Sequence, residues 1–90
     1  MTNLEDSVPE VLPAFAEFSP PFSRGGYTYL IWADSQTRWT VRRFYADDHH
    51  EDIGHLVKMD EATYGYVHVG DGIDVAAKSP SWRELVTLYT

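Results

Sequence analysis

The chain has 90 residues, 43% hydrophobic and 14% aromatic, with fourteen acidic against seven basic side chains for a net charge of −7. One core fits a chain of that length, burying roughly 60–70% of the unfolded surface, and three Trp, six Tyr and four Phe supply packing units that exclude global disorder. The absence of cysteine excludes a disulfide framework and a thiolate metal site, while the acidity disfavours direct binding to nucleic acid or to an anionic membrane.

No apolar run reaches the length of a membrane span and no basic, apolar leader opens the chain, so the expected setting is soluble and cytoplasmic, in the host cytoplasm if the gene is viral. Residues 1–23 carry Pro9, Pro13, Pro20 and Pro21, which fix φ and remove backbone donors, so this stretch reads as an N-terminal arm. Val11, Leu12, Phe15 and Phe18 are apolar enough to dock it in part, and Pro13 is placed to open a single helical turn towards Phe18. Residues 24–90 then read as one domain.

Arg24-Gly25-Gly26 punctuates the entry to a strand over Tyr27–Ala33, rich in aromatic and β-branched residues. Asp34-Ser35-Gln36-Thr37 supplies a turn, and a second strand from Arg38 to about Ala46 completes a hairpin, the link being too short for a crossover. Asp47 to Asp52 reads as a hydrated acidic loop, followed by a short third strand over His55–Met59. Tyr64–Val69 alternates clearly and is joined through Gly70-Asp71-Gly72 to Ile73–Ala77 as a second tight hairpin. Ser79-Pro80-Ser81 introduces a helix to Tyr89, capped either by Ser79 with Pro80 at the first helical position or by Ser81 paired with Glu84. Trp82, Leu85, Val86 and Tyr89 form its apolar stripe.

Together these elements predict an α+β fold: a four- to five-stranded, mainly antiparallel sheet with the C-terminal helix on one face. Val67, Val69, Ile73 and Val75 are expected to face the helix, which turns Tyr64, Tyr66 and His68 to the opposite surface as an aromatic stripe. That stripe is either covered by the arm or offered to a partner.

Chemistry concentrates in Asp47, Asp48, His49, His50, Glu51, Asp52 and His55. His49 and His50 point apart on an extended chain and no His-Glu-x-x-His spacing is present, so no metal ligand set is assigned. No nucleophile elbow, thiol or phosphate loop occurs either: Gly70-Asp71-Gly72 joins two strands and lacks the following helix and lysine. The expectation is therefore a non-enzymatic, cofactor-free, acidic protein-binding module. It would be an inhibitor or adaptor occupying a basic, nucleic-acid-binding type of site on a partner protein. Its contacts would be Asp47, Asp48, Glu51 and Asp52, extended by Asp60 and Glu61, with Tyr64 and Tyr66 as anchors. Phage-borne anti-defence and immunity proteins often share this size and acidity, an analogy of class without a shared motif. The alternatives are a metal-dependent small enzyme or sensor using Asp48, His50 and His55, and a structural subunit of a homo-oligomer or larger assembly.

Overall fold

The computed structural model describes residues 8–70, 72 and 74–90. They form six strands in one antiparallel sheet, β1 Phe22–Arg24, β2 Tyr27–Ala33, β3 Arg38–Phe44, β4 His50–Asp60, β5 Thr63–His68 and β6 Ala77–Ser79, followed by the helix α1 Trp82–Tyr89. Every strand pairs with its neighbours in sequence, so the sheet is a six-stranded meander, larger than the four- to five-stranded sheet expected. No described helix is long and apolar enough to cross a membrane.

The additional edge strand comes from the arm. Gly25 and Gly26 occupy positive φ of 57° and 88° between the Arg24↔Tyr27 pair, the two-residue turn that matches strand twist. The arm then follows β2 further, with Ser19 N–H donating to the Ile31 carbonyl and Ala33 N–H to the Glu17 carbonyl. Pro20 and Pro21 lie just before β1 on this outer edge of the sheet, where a missing donor interrupts no ladder. The stretch from Pro13 to Phe18 makes no helical turn; it bends at Ala16, with φ of 68°, and bridges Phe18 to Trp32.

The second departure is β4, which runs for eleven residues and absorbs the second half of the expected acidic loop. Cross-strand charge explains its early start: Glu51 lies opposite Arg43 and Asp52 opposite Arg42. The remaining link is a tight turn closed by Tyr45 N–H to the His49 carbonyl, with Asp48 at φ 68°, a conformation Asp tolerates better than most side chains. Asp47 completes it by accepting from His49 N–H and pairing with the His49 ring.

The second hairpin also changes. β5 pairs with Ala77–Ser79, through Tyr64↔Ser79 and Tyr66↔Ala77, and not with a strand over 73–77. Asp71, the centre of the expected tight turn, and Ile73, the first residue of the expected strand after it, lie outside the described residues.

The core fills the helix side of the sheet with Phe22, Tyr29, Ile31, Ala33, Trp39, Val41, Leu56, Tyr66, Leu85 and Val86. The expected assignment of faces is therefore inverted for β5. Tyr66 is 1% exposed and stacks on Tyr89 of α1 at 4.1 Å, and His68 meets Tyr89 edge-on at 5.0 Å. Val67 instead faces the opposite side, where Val57, Met59 and Val75 converge over Gly65. Gly54 decides the matter: the Tyr66 ring lies directly over it, in space that any side chain at 54 would occupy.

The helix begins as its sequence signals indicate, with Ser81 as N-cap accepting from Glu84 N–H. The return bond differs from a simple capping box. Glu84 accepts from the Ser79 hydroxyl at 2.7 Å, and Ser79 Oγ accepts from Ser81 N–H at 3.0 Å, so both serines serve one cap.

A candidate binding site at the acidic end of the sheet

Three of the residues expected in a site, Glu51, Asp52 and Tyr66, meet at one place. β5 ends at His68 and its last backbone bond to β4 is Val69 N–H to the Ile53 carbonyl, whereas β4 continues back to His50. Beyond that point β4 has β3 on one side and, among the described residues, no strand on the other. The gap opens a notch of about 340 Å³ between the uncovered end of β4 and the end of α1.

Its floor is the Tyr66–Tyr89 stack, with His68 against both rings. Burial pushes the Tyr66 phenol up to about 12. Arg43 lies on the helix side of β3 and closes the notch opposite Val69. Its Nε donates to the Tyr29 hydroxyl at 3.1 Å, and its guanidinium lies 4.8 Å from the Tyr27 ring centroid and 5.5 Å from that of Tyr29. Tyr45 accepts a hydrogen bond from Arg43 and its hydroxyl donates one to Glu51, so the guanidinium is linked to the carboxylate through a phenol. The hydrogen bond to Tyr45 is the main cause that holds Arg43 above the usual guanidinium range.

The neighbouring carboxylates are unevenly committed. Asp52 makes a 2.8 Å ion pair with Arg42 on the opposite face. Asp47 is held below the usual carboxylate range by the His49 ring and then by the His49 backbone N–H. Asp48 projects from the turn and is exposed. Asp47, Asp48, Glu51 and Asp52 thus gather at one end, while Arg42 and Arg43 are both engaged in internal contacts.

Asp60 and Glu61 do not extend this patch. They form the β4–β5 turn, where Asp60 accepts from Ala62 N–H. The eight residues from Asp52 to Asp60 along β4 correspond to about 26 Å at the usual strand rise. Tyr64 is half-buried against Trp39 at 6.2 Å, and Tyr66 belongs to the core, so neither stands as an exposed stripe.

The trio Asp48, His50 and His55 is likewise dispersed, and no group of three described His, Asp or Glu residues is placed to hold a metal ion. His50 packs on Phe44 at 5.7 Å. His55 lies five residues along β4, its Nδ1 3.1 Å from the Thr40 hydroxyl, which in turn donates to Asp34. Burial, and then the charge of Arg38, lowers the His55 pKa below its ordinary 6.5.

Arg43, Tyr45, His68 and Tyr89 were not expected to share a site. One signal existed for Arg43: strand alternation puts it on the same face as Trp39 and Val41, so a guanidinium there needs enclosing partners. No protein-family model matches the chain, and neither a curated protein nor a solved structure matches it.

Proposed function

We propose that the protein is a small acidic protein-binding module, an inhibitor or adaptor that engages a basic surface on its partner with the β3–β4 end of the sheet. The observation that carries this reading is the convergence of Asp47, Asp48, Glu51 and Asp52 beside an end of β4 that pairs with β3 but, among the described residues, has no strand on its other side. Four carboxylates at one end steer a cationic surface in encounter, and the aromatic floor behind them offers apolar area for a desolvated contact. Asp60 and Glu61 lie outside this surface. A basic phosphate-binding site is one class of surface that such an array of carboxylates fits, which keeps mimicry of a nucleic acid within the proposal.

The test is affinity capture from a lysate of the source cell with the wild type and with Asp47→Lys/Asp48→Lys/Glu51→Lys. The reading expects a partner whose association slows with added salt and is lost in the triple variant. Equal capture by both proteins would refute it.

A second reading, self-assembly, is favoured by the sheet face away from the helix. There Phe18 is 53% exposed with its ring 4.4 Å from Trp32, and half-buried Leu30 precedes Trp32 on the same face of β2. A molar mass above the monomer in light scattering, reduced by Phe18→Glu, would support it.

A further inference from the structure

Resting on the acidic-end reading, we infer that β4 receives its partner by strand addition: an extended, Lys- or Arg-rich segment of a partner protein lies along His50–Asp52 and inserts one apolar side chain into the notch.

The backbone geometry supplies the first argument. The Tyr45–His49 hydrogen bond sets the alternation of the β3–β4 ladder, so the Arg43↔Glu51 pair bonds inward, while His50 and Asp52 turn their N–H and C=O groups away from β3. The irregularity between Val41 and Arg42 adds Ile53 as an extra residue on β4. Both Asp52 and Ile53 then face the side where β5 has just ended. Ile53 has its partner in Val69; His50 and Asp52 have none among the described residues. An added strand continues the line of β5 and meets these groups in register.

The notch supplies the second. Side chains of an added strand alternate between faces, and every second one points to the helix side. The first such residue past the end of β5 arrives over the Tyr66–Tyr89 stack, between Ile53, Val69 and His68. Ile53, Val69 and the Tyr66–Tyr89 rings supply the apolar part of that lining, beside Arg43, Glu51, Asp52 and His68, and this apolar part receives an apolar or aromatic side chain.

Charge selects the remainder of the segment and argues against a second copy of this chain. Self-pairing through β4 sets this acidic stretch, Asp47 to Asp52, against the same stretch of the second copy, which brings like charges together across a ladder. A basic segment meets the same carboxylates with opposite sign. Among the described residues, approach from the turn meets only exposed side chains, residues 46–51 all being exposed.

The probe is a displayed library of random twelve-residue peptides selected on the full chain, with recovered peptides titrated against the wild type, Glu51→Lys and His50→Pro. His50→Pro deletes an outward N–H that has no acceptor among the described residues, on a strand end that tolerates proline, and leaves every carboxylate in place. Strand addition predicts basic peptides with one apolar anchor, slowed amide exchange at His50 and Asp52 when bound, and roughly tenfold weaker binding by His50→Pro, about one net backbone hydrogen bond. Basic peptides that lose binding in Glu51→Lys, yet bind His50→Pro like the wild type and leave both amides unprotected, overturn strand addition while the acidic-end reading stands. Recovery of no basic peptide, or indifference to Glu51→Lys, overturns both. Exchange in the wild type reads the same point should His50→Pro fail to fold.

Discussion

Gly54→Ala is the sharpest perturbation of the architecture that shapes the notch. A Cβ at residue 54 would fall inside the van der Waals envelope of three Tyr66 atoms, Oη, Cζ and Cε1, the last at 2.7 Å. Tyr66 cannot retreat cheaply, because its ring is 1% exposed and stacked at 4.1 Å and 10° on Tyr89. Overpacking of this kind costs about 1–3 kcal/mol, and breaking the ring pair adds about 0.5–1.5 kcal/mol. The expected loss is about 2–4 kcal/mol, and each 1 kcal/mol lowers the midpoint of a domain this size by about 4–8 °C. Denaturant unfolding followed by Trp fluorescence measures it. A cycle with Tyr66 locates the cause. Tyr66→Phe keeps Cζ and Cε1 and should leave the penalty of Gly54→Ala largely intact, whereas Tyr66→Leu removes the ring and should relieve it, giving a coupling energy of about 1 kcal/mol or more. A Gly54→Ala protein within about 0.5 kcal/mol of the wild type, the range of a neutral surface change, would refute the placement of Tyr66.

Four further outcomes follow from particular contacts. His55 should titrate below 6.5: the unfolded chain then binds the proton first, so stability present above 6.5 is lost as pH falls through that value towards the folded midpoint. An imidazole NMR titration with a midpoint at or above 6.5 would contradict the burial assigned to it. Ser81→Ala removes the N-cap and should cost about 1 kcal/mol in denaturant unfolding. Ser79→Ala should cost a similar amount through the bonds to Glu84 and Ser81 N–H. Arg83→Ala should free the arm, since its Nε and Nη2 bond the Pro9 and Val8 carbonyls at 2.9 Å, and limited proteolysis should then cut near Val11 well before the wild type is cut.

Much of this fold is legible in the chain, and the illegible parts have identifiable causes. β2, β3 and α1 announce themselves through alternation, turn residues and caps. The acidic segment hides a strand because Asp, His and Glu have little intrinsic preference for sheet. The missing signal is non-local: the acidic pair Glu51-Asp52 matches the basic pair Arg42-Arg43 across the hairpin. The face of β5 is ambiguous because tyrosines alternate with valines, and period two fits either orientation. Gly54 and Tyr89, distant in sequence, break that tie. The arm's edge pairing is hidden by Pro20 and Pro21, which argue against a strand everywhere except at a sheet edge. For the site, charge composition indicates the acidic end, yet the notch exists only because β5 stops short of β4, and no local pattern records the relative lengths of two strands.

Backbone amide shift mapping with a basic peptide selected on the protein locates the binding surface. The largest changes should fall at residues 47–53, with His68 and Val69 following as the notch fills. Changes centred instead on Asp60 and Glu61, or on Phe18 and Trp32 across the opposite face, would contradict that placement.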